Sequence, residues 1–409
     1  MIRTIFSSVV SFISGLFRPA SYTLHNLTLF IIVLMCIQYI PIETRAGVSP
    51  VKVAVMAFMP FVLLSHLRFN KALGLGFAYI LWLYVTAALL HPETFRASTI
   101  LYSAMFVTTF VVVYTSVWEY EALTLAEFLQ FLRVFFYVLI GFLLAQQACL
   151  FAGIKLMQAI NLCQILDRGI GANSLTFEPS TLGRLLAVLY YAILKCTEYQ
   201  RGEKVAITEV LKGDLKWVTV LYAWAVLTMG SGTAFVAAGI VSLYFMRGWY
   251  FLLAIPIFIG VYFTIEHFDN ESFTRAQKAS IATMTGDSSD IIETDGSAAT
   301  RIAPMLNTLH ADFTDYDFWV GKGCDNRVAL SKRNMGHIDD YGFISYILEL
   351  LFIFVCCMNF RSLATLFFFT GIGGGIGNIS YGWGLLMIFC CVKYFYTYRY
   401  DNSVLEDKN

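Results

Sequence analysis

Three short groups of residues in this sequence have the types and spacing that chemistry on a charged or hydroxyl-bearing substrate needs. The first is Phe177-Glu178-Pro179-Ser180-Thr181-Leu182-Gly183-Arg184. Proline in the first turn of a helix and serine as its cap make Pro179 and Ser180 an ordinary helix start. Arg184 needs another reason, because it falls about 7 Å along that helix at a rise of roughly 1.5 Å per residue. A guanidinium at that depth in an apolar run is costly unless it snorkels or is paired, which makes Arg184 and Glu178 functional candidates.

The second group is Thr300-Arg301, followed at helical spacing by Ile302, Met305, Leu306 and Leu309. A lone loop arginine is ordinarily a solvated charge. Here Gly321-Lys322-Gly323 adds backbone amides able to form an anion nest, and Lys322 and Arg327 add charge, so the set predicts a phosphate or pyrophosphate site. The third group is Gly336-His337-Ile338-Asp339-Asp340-Tyr341-Gly342-Phe343. One reading is a capped helix start, since Asp is a favoured cap. The other makes His337 a general base, or a partner for a sugar hydroxyl, with Asp340 orienting the imidazole and Glu178 as the rival base. The intervals among His310, Asp312, His337 and Asp340 match no metal motif, so neither a metal nor a cofactor is expected. Phe313, Tyr316, Phe318 and Trp319 suit stacking on sugar faces or anchoring at a membrane interface, and the anchor is favoured.

The elements that must position these groups are membrane helices. Hydrophobic residues make up 58% of the chain, charged residues only 14%, and the mean hydropathy is +0.67, outside the range of soluble domains. Continuous apolar runs, rather than alternating ones, predict an all-α polytopic protein and not a barrel. The spans expected are roughly 22–41, 51–67, 72–90, 97–117, 128–151, 181–195, 215–230, 232–246, 249–265, 341–359, 362–376 and 380–397, about twelve transmembrane helices in one integral membrane domain covering 1–409. An interfacial helix is expected at 1–19. A net charge of zero excludes a nucleic-acid partner. Most cysteines lie inside the apolar runs and read as small core residues.

Lys and Arg settle the expected orientation, because the shorter loops on one side hold only Arg45, Lys52, Arg96, Lys155 and Arg168. Both termini are then cytoplasmic, including the tail 398–409, and the two long connections, 152–180 and 267–340, share the extracytoplasmic face. The second of these carries twelve acidic and seven basic residues in an otherwise lipid-soluble chain, and so calls for a function. Within the first, Leu156, Met157, Ile160, Cys163, Ile165 and Leu166 recur as a surface helix would place them. Gly371-Ile-Gly-Gly-Gly-Ile-Gly377 reads as close helix packing or a break, since no Lys-Ser or Lys-Thr follows it.

This arrangement resembles the O-antigen polymerase family and its relatives, the O-antigen ligases. The resemblance rests on the topology and on Phe177-Glu178-Pro179-Ser180, Thr300-Arg301, Gly321-Lys322-Gly323 and His337 leading into Tyr341-Gly342. The His-x-His-Asn-type pattern of the ligases is absent, His337-Ile338-Asp339-Asp340 standing in its place, which favours polymerase over ligase. The resemblance implies a glycosyltransferase architecture of the GT-C-like kind in a bacterial inner (cytoplasmic) membrane, with its active site on the periplasmic side. It implies a donor oligosaccharide on polyprenyl pyrophosphate, an acceptor sugar hydroxyl on a second lipid-linked unit, and metal-independent transfer. Arg184, Arg301, Lys322 and Arg327 would bind pyrophosphate, and His337, Arg301, Glu178 and Asp340 would be catalytic. A chain-length regulator and other glycan-export proteins would be its partners, alongside the bilayer. The rivals are a ligase, a flippase or transporter of lipid-linked sugars, and an assembly subunit. Spans almost free of charge at their centres, with Glu349 the clearest exception, favour an interfacial enzyme over a transporter.

Overall fold

Apolar runs without period-two alternation can satisfy their backbones in lipid only as helices. The computed structural model describes residues 24–38, 49–154, 172–229, 231–246, 296–324, 333–359, 362–369 and 380–406, and every regular element among them is helical. In chain order these are α1 (Leu24–Cys36), α2 (Pro50–Ser65), α3 (Lys71–Val85), α4 (Ala97–Trp118), α5 (Leu125–Phe151), α6 (Pro179–Arg201), α7 (Leu215–Thr228), α8 (Gly232–Phe245), α9 (Gly296–Leu309), α10 (Tyr316–Val320), α11 (Ile338–Cys356), α12 (Leu363–Phe367) and α13 (Ser380–Glu406), with short turns between. The span expected at 249–265, the helix expected at 1–19 and the surface helix built on Leu156 to Leu166 lie outside the described residues. Helix α13 runs through Glu406, so most of the expected tail at 398–409 is helical. Within the 267–340 connection, α9 and α10 are helical, and α9 carries Ile302, Met305, Leu306 and Leu309 at the helical spacing their sequence implied.

Among the described residues, three stretches are long and apolar enough to cross a membrane: Lys71–Leu90, Ala97–Trp118 and Leu125–Phe151. Helices α1, α2, α7 and most of α8 are apolar but shorter. Phe58 and Phe61 on α2 and Phe77 on α3 stand about two-thirds exposed, at 66%, 69% and 67%. A patch of that size and apolarity belongs against lipid. The chain is a membrane-associated helical protein.

At the centre, α6 packs against α5, α7, α8 and α13, while α13 also contacts α1 and α4. Close approach needs small residues. A side chain at Gly183 would meet Ala234 of α8 at 2.5 Å, and one at Gly384 of α13 would meet Cys36 of α1 at 2.6 Å. An aromatic block joins α4, α11 and α13, with Phe106 stacked on Trp383 at 5.9 Å and Phe110 edge-on to Phe352 at 5.0 Å. The last turns of α6 and α8, the segment just past α11 and the second half of α13 converge on one cavity. The starts of α6, α11 and α13, carrying Glu178, His337 and Ser380, therefore share the opposite end of the molecule.

Candidate functional site

At that shared end the residues singled out by sequence fall into two groups. The first is built around the turn 172–178, whose non-helical backbone is buried and so must be bonded internally. Gln146 on α5 does most of this: its side-chain amide donates to the Ser174 carbonyl at 3.0 Å while its oxygen accepts from the Ser174 amide at 2.7 Å. That pair holds Ser174 at a φ of 51°, a left-handed conformation costly for a residue with a Cβ. Asn173 donates to the Thr176 carbonyl at 2.6 Å, and the Gln38 amide, just past α1, donates to the Leu175 carbonyl at 2.8 Å.

The turn delivers Glu178 as the residue preceding α6, with Pro179 in the first turn. Ser180 does not cap the helix through its own hydroxyl; that hydroxyl donates to the Glu178 carboxylate. One turn on, the Arg184 Nε donates to the Ser180 carbonyl at 3.2 Å, and its guanidinium lies 4.9 Å from the centre of the Tyr381 ring at the start of α13. A cation held against an aromatic face in partial burial is stabilised by roughly 1–2 kcal/mol. Close by on the chain path, Lys52 of α2 is buried and donates to the Ser380 hydroxyl at 2.9 Å and to the Ile37 carbonyl at 2.5 Å. Sequence reasoning counted Lys52 only as a loop charge, and its apolar surroundings on α2 were the signal available.

The second group is a clasp between the end of α10 and the start of α11. The Lys322 amide donates to the Asp339 carbonyl at 2.9 Å and the Gly323 amide to the Asp340 carbonyl at 3.1 Å, while the Gly321 amide closes α10 on the Asp317 carbonyl at 2.8 Å. All three amides of Gly321-Lys322-Gly323 are thus committed to carbonyls, and the anion nest expected there is not formed. What remains for an anion is the Lys322 side chain, half exposed and 3.9 Å from the Asp317 carboxylate.

Two glycines make the clasp. Gly321 has φ 83° and Gly342 has φ 80°, and a Cβ on Gly342 would strike the Trp319 carbonyl. Gly342 breaks the helical path of α11 at its first turn, and the Tyr341 carbonyl is instead bonded by the Trp82 indole N–H of α3 at 3.1 Å. On the far side Gly323 lies against His91 and Thr94. Helix α3 reaches them through a π turn at Thr86–Leu90, a device enriched at functional sites. His91, whose Nε2 is buried without a partner among the described residues and whose Nδ1 is 3.7 Å from Glu93, was missed by sequence reasoning. The run His91-Pro92-Glu93-Thr94 in a short loop was the available signal.

His337 precedes α11 and is about one-fifth exposed, at 21%. Its Nδ1 is buried, makes no hydrogen bond among the described residues and faces the Asp340 carboxylate at 3.6 Å. That is just beyond hydrogen-bond length, a spacing that substrate-free sites show before closure. Asp339 is occupied elsewhere, accepting from the Asn334 amide and side chain at 2.9 and 2.8 Å. Asp340, rather than Asp339, is the carboxylate that can orient this imidazole.

Arg301 falls on α9 by its backbone, at the register of Met305 and Thr308. Thr308 fastens that helix to the approach of α11 by accepting from the Met335 amide at 2.9 Å, and seven residues of helix, about 10 Å, separate it from Arg301. Arg327 lies outside the described residues. Phe318 is neither a sugar platform nor an interfacial anchor; it is buried and stacked on Phe343 at 5.0 Å, in a small core with Met335, Ile338 and Tyr346. Phe313 and Tyr316 remain exposed. Cys324 is a buried thiol bonded to the Tyr341 hydroxyl at 2.9 Å. Among the described residues no three His, Cys, Asp or Glu side chains converge as a metal set.

No protein-family model matches this chain, and no curated protein or solved structure does either.

Proposed function

We propose that the protein is a glycosyltransferase that polymerises lipid-linked oligosaccharide repeat units, moving a growing chain from polyprenyl pyrophosphate to a sugar hydroxyl of the next unit. The observation that carries this reading is the His337–Asp340 pair, mostly shielded from solvent and at the same end of the helices as Arg184 and Glu178. In the reaction, His337 accepts the proton of the attacking hydroxyl while its oxygen forms the new bond to the anomeric carbon. The bond from that carbon to the pyrophosphate oxygen breaks, and the electron pair leaves with the pyrophosphate. Arg184, Arg301, Lys322 and Arg327 stabilise the charge that develops there, as cations do for a leaving group that is already good. Asp340 closes onto Nδ1 and favours the imidazolium formed, and Glu178 is the rival base. The setting is a bacterial inner membrane with the site on its periplasmic face.

A second reading, transport of lipid-linked sugars, draws on one feature. Glu349 is only 1% exposed, midway along α11 and within electrostatic range of Tyr79 and Tyr346. Buried carboxylates in spanning helices mark transport pathways.

The surface glycan of a deletion strain separates the two. A polymerase leaves a single repeat unit on the usual anchor, a ligase leaves polymer on the carrier lipid, and a flippase traps units on the cytoplasmic side. His337→Ala and Arg301→Ala chains, inserted at normal levels, are expected to reproduce the deletion phenotype, with rates down at least 10²-fold for loss of a general base. Wild-type polymer from either variant would end this assignment.

A further inference from the structure

We propose that the cavity at the other end of α6 and α13 is a binding site for a phosphate-bearing anion, a second site separate from the histidine clasp. The cavity has a volume of about 360 Å³ and, among the described residues, is lined by Lys195, Lys204 and Lys393 against one carboxylate, Glu198. Both oxygens of that carboxylate are engaged, one accepting from Lys195 at 2.8 Å and the other from the Tyr244 hydroxyl at 2.8 Å. Three ammonium groups facing one carboxylate leave the walls net positive, and a concave low-dielectric lining focuses that field on whatever enters.

The three lysines have different parts. Lys393 donates to the carbonyls of Phe354, Val355 and Met358 at 2.8, 2.9 and 3.0 Å, which neutralises the carbonyl end of α11. A helix C-terminus would otherwise repel an anion there. Lys195 and Lys204 each lie 5.0 Å from an aromatic ring, of Tyr199 and Tyr244 respectively. Rings hold the cations in place without cancelling their charge, as a second carboxylate would. The Ser362 hydroxyl, also in the lining, is buried and has no hydrogen-bond partner among the described residues, so a donor or acceptor from an occupant would satisfy it. Lysine ammoniums suit phosphate as point charges.

The site is about 20 Å from Arg184 by the rise of α6, too far to serve the same pyrophosphate. A phosphate could arrive here in two forms. Leu243 and Phe389 supply apolar wall for the chain of a lipid, whereas free phosphate needs only the cations and hydroxyls.

The test uses the full-length protein in detergent. Native mass spectrometry measures retention of phosphatidylglycerol and of phosphate-free diacylglycerol, and calorimetry measures binding of inorganic phosphate alone. We expect phosphatidylglycerol to be retained and diacylglycerol lost, and Lys195→Gln/Lys204→Gln to weaken retention about tenfold, the size of one charge-assisted hydrogen bond. Glu198→Gln, which releases Lys195, strengthens it. Should inorganic phosphate bind as well as the lipid does, the ligand is a soluble phosphate compound and the site stands. Lys204 is exposed at the rim, so Lys204→Gln alone gives a folded control expected to lose part of the retention. The proposal is overturned if neither phosphatidylglycerol nor phosphate binds, or if the folded Lys204→Gln and double variants retain them as the wild type does.

Discussion

The turn 172–178 and the clasp between residues 319–324 and 337–342 sit at the same end of the helices, and both break regular helix, yet they are held by different means. The turn is fixed by polar side chains: Gln146 bonds both backbone groups of Ser174, and Asn173 and Thr176 close the rest. The clasp is fixed by backbone on backbone, which only Gly321 and Gly342 allow at that separation. The difference matters for chemistry. Side chains that hold a fold are not available to a substrate, whereas the clasp is fastened by the amides and carbonyls of Lys322, Gly323, Asp339 and Asp340, and the side chains of His337, Asp340 and Lys322 are not part of that fastening. The turn positions Glu178 and Arg184; the clasp positions the imidazole of His337 beside the Asp340 carboxylate.

Three substitutions sharpen or break that contrast. The largest effect is expected from Gly342→Ala, which adds a methyl against the Trp319 carbonyl at a φ of 80°, at a cost of roughly 4 kcal/mol. The clasp should open and residues 310–324 become sensitive to protease while α4 and α5 stay protected; a chain that remains resistant would show that backbone packing is not what holds this region.

A smaller loss, roughly 2–3 kcal/mol, is expected from Gln146→Leu, which strands the Ser174 amide and carbonyl in a buried turn. Thermal unfolding in detergent should fall while the clasp keeps its protease resistance. If both regions loosen together, the two are not independently held.

The smallest effect concerns Asp312, whose carboxylate accepts from the Thr314 side chain at 2.7 Å and the Thr314 amide at 2.9 Å. These bonds hold its pKa below the usual 3.8. A carboxyl lowered in the fold adds stability above its unfolded pKa and gives it up as pH falls through the lower folded value. Amide exchange at Thr314 should therefore quicken only below about pH 4. Asp312→Asn should remove that dependence, and an unchanged profile would assign it to another group.

Much of the architecture was legible because membrane helices write themselves in long apolar runs. The starts of α6 and α11 fell within a few residues of where Pro179 and His337 implied them. The site was legible in its residue types and only partly in its roles. Asp339 and Asp340 are equivalent in sequence, and the direction each takes from the first turn of α11 decides that one caps Asn334 and the other faces His337. Gly321-Lys322-Gly323 has the composition of an anion nest, but amides serve whichever acceptor is nearest, and the carbonyls of Asp339 and Asp340 are nearest. His91 passed unremarked, and Lys52 counted only as a loop charge, because each meets a partner more than two hundred residues away, Gly323 and Ser380 respectively.

The sequence by itself determined that this chain is helical and lipid-facing, because hydropathy and period are local properties that need no neighbour to be read. It also determined that its charged and hydrogen-bonding residues gather in the polar connections, since charge inside lipid is costly. Only the tertiary structure decided that Glu178, His337 and Ser380 share one end, that Phe318 belongs to a core, and that three lysines and a carboxylate line a cavity at the other end. Those are matters of which helix packs on which, and the bonds that fix them run between residues whose separation along the chain carries no information about their distance.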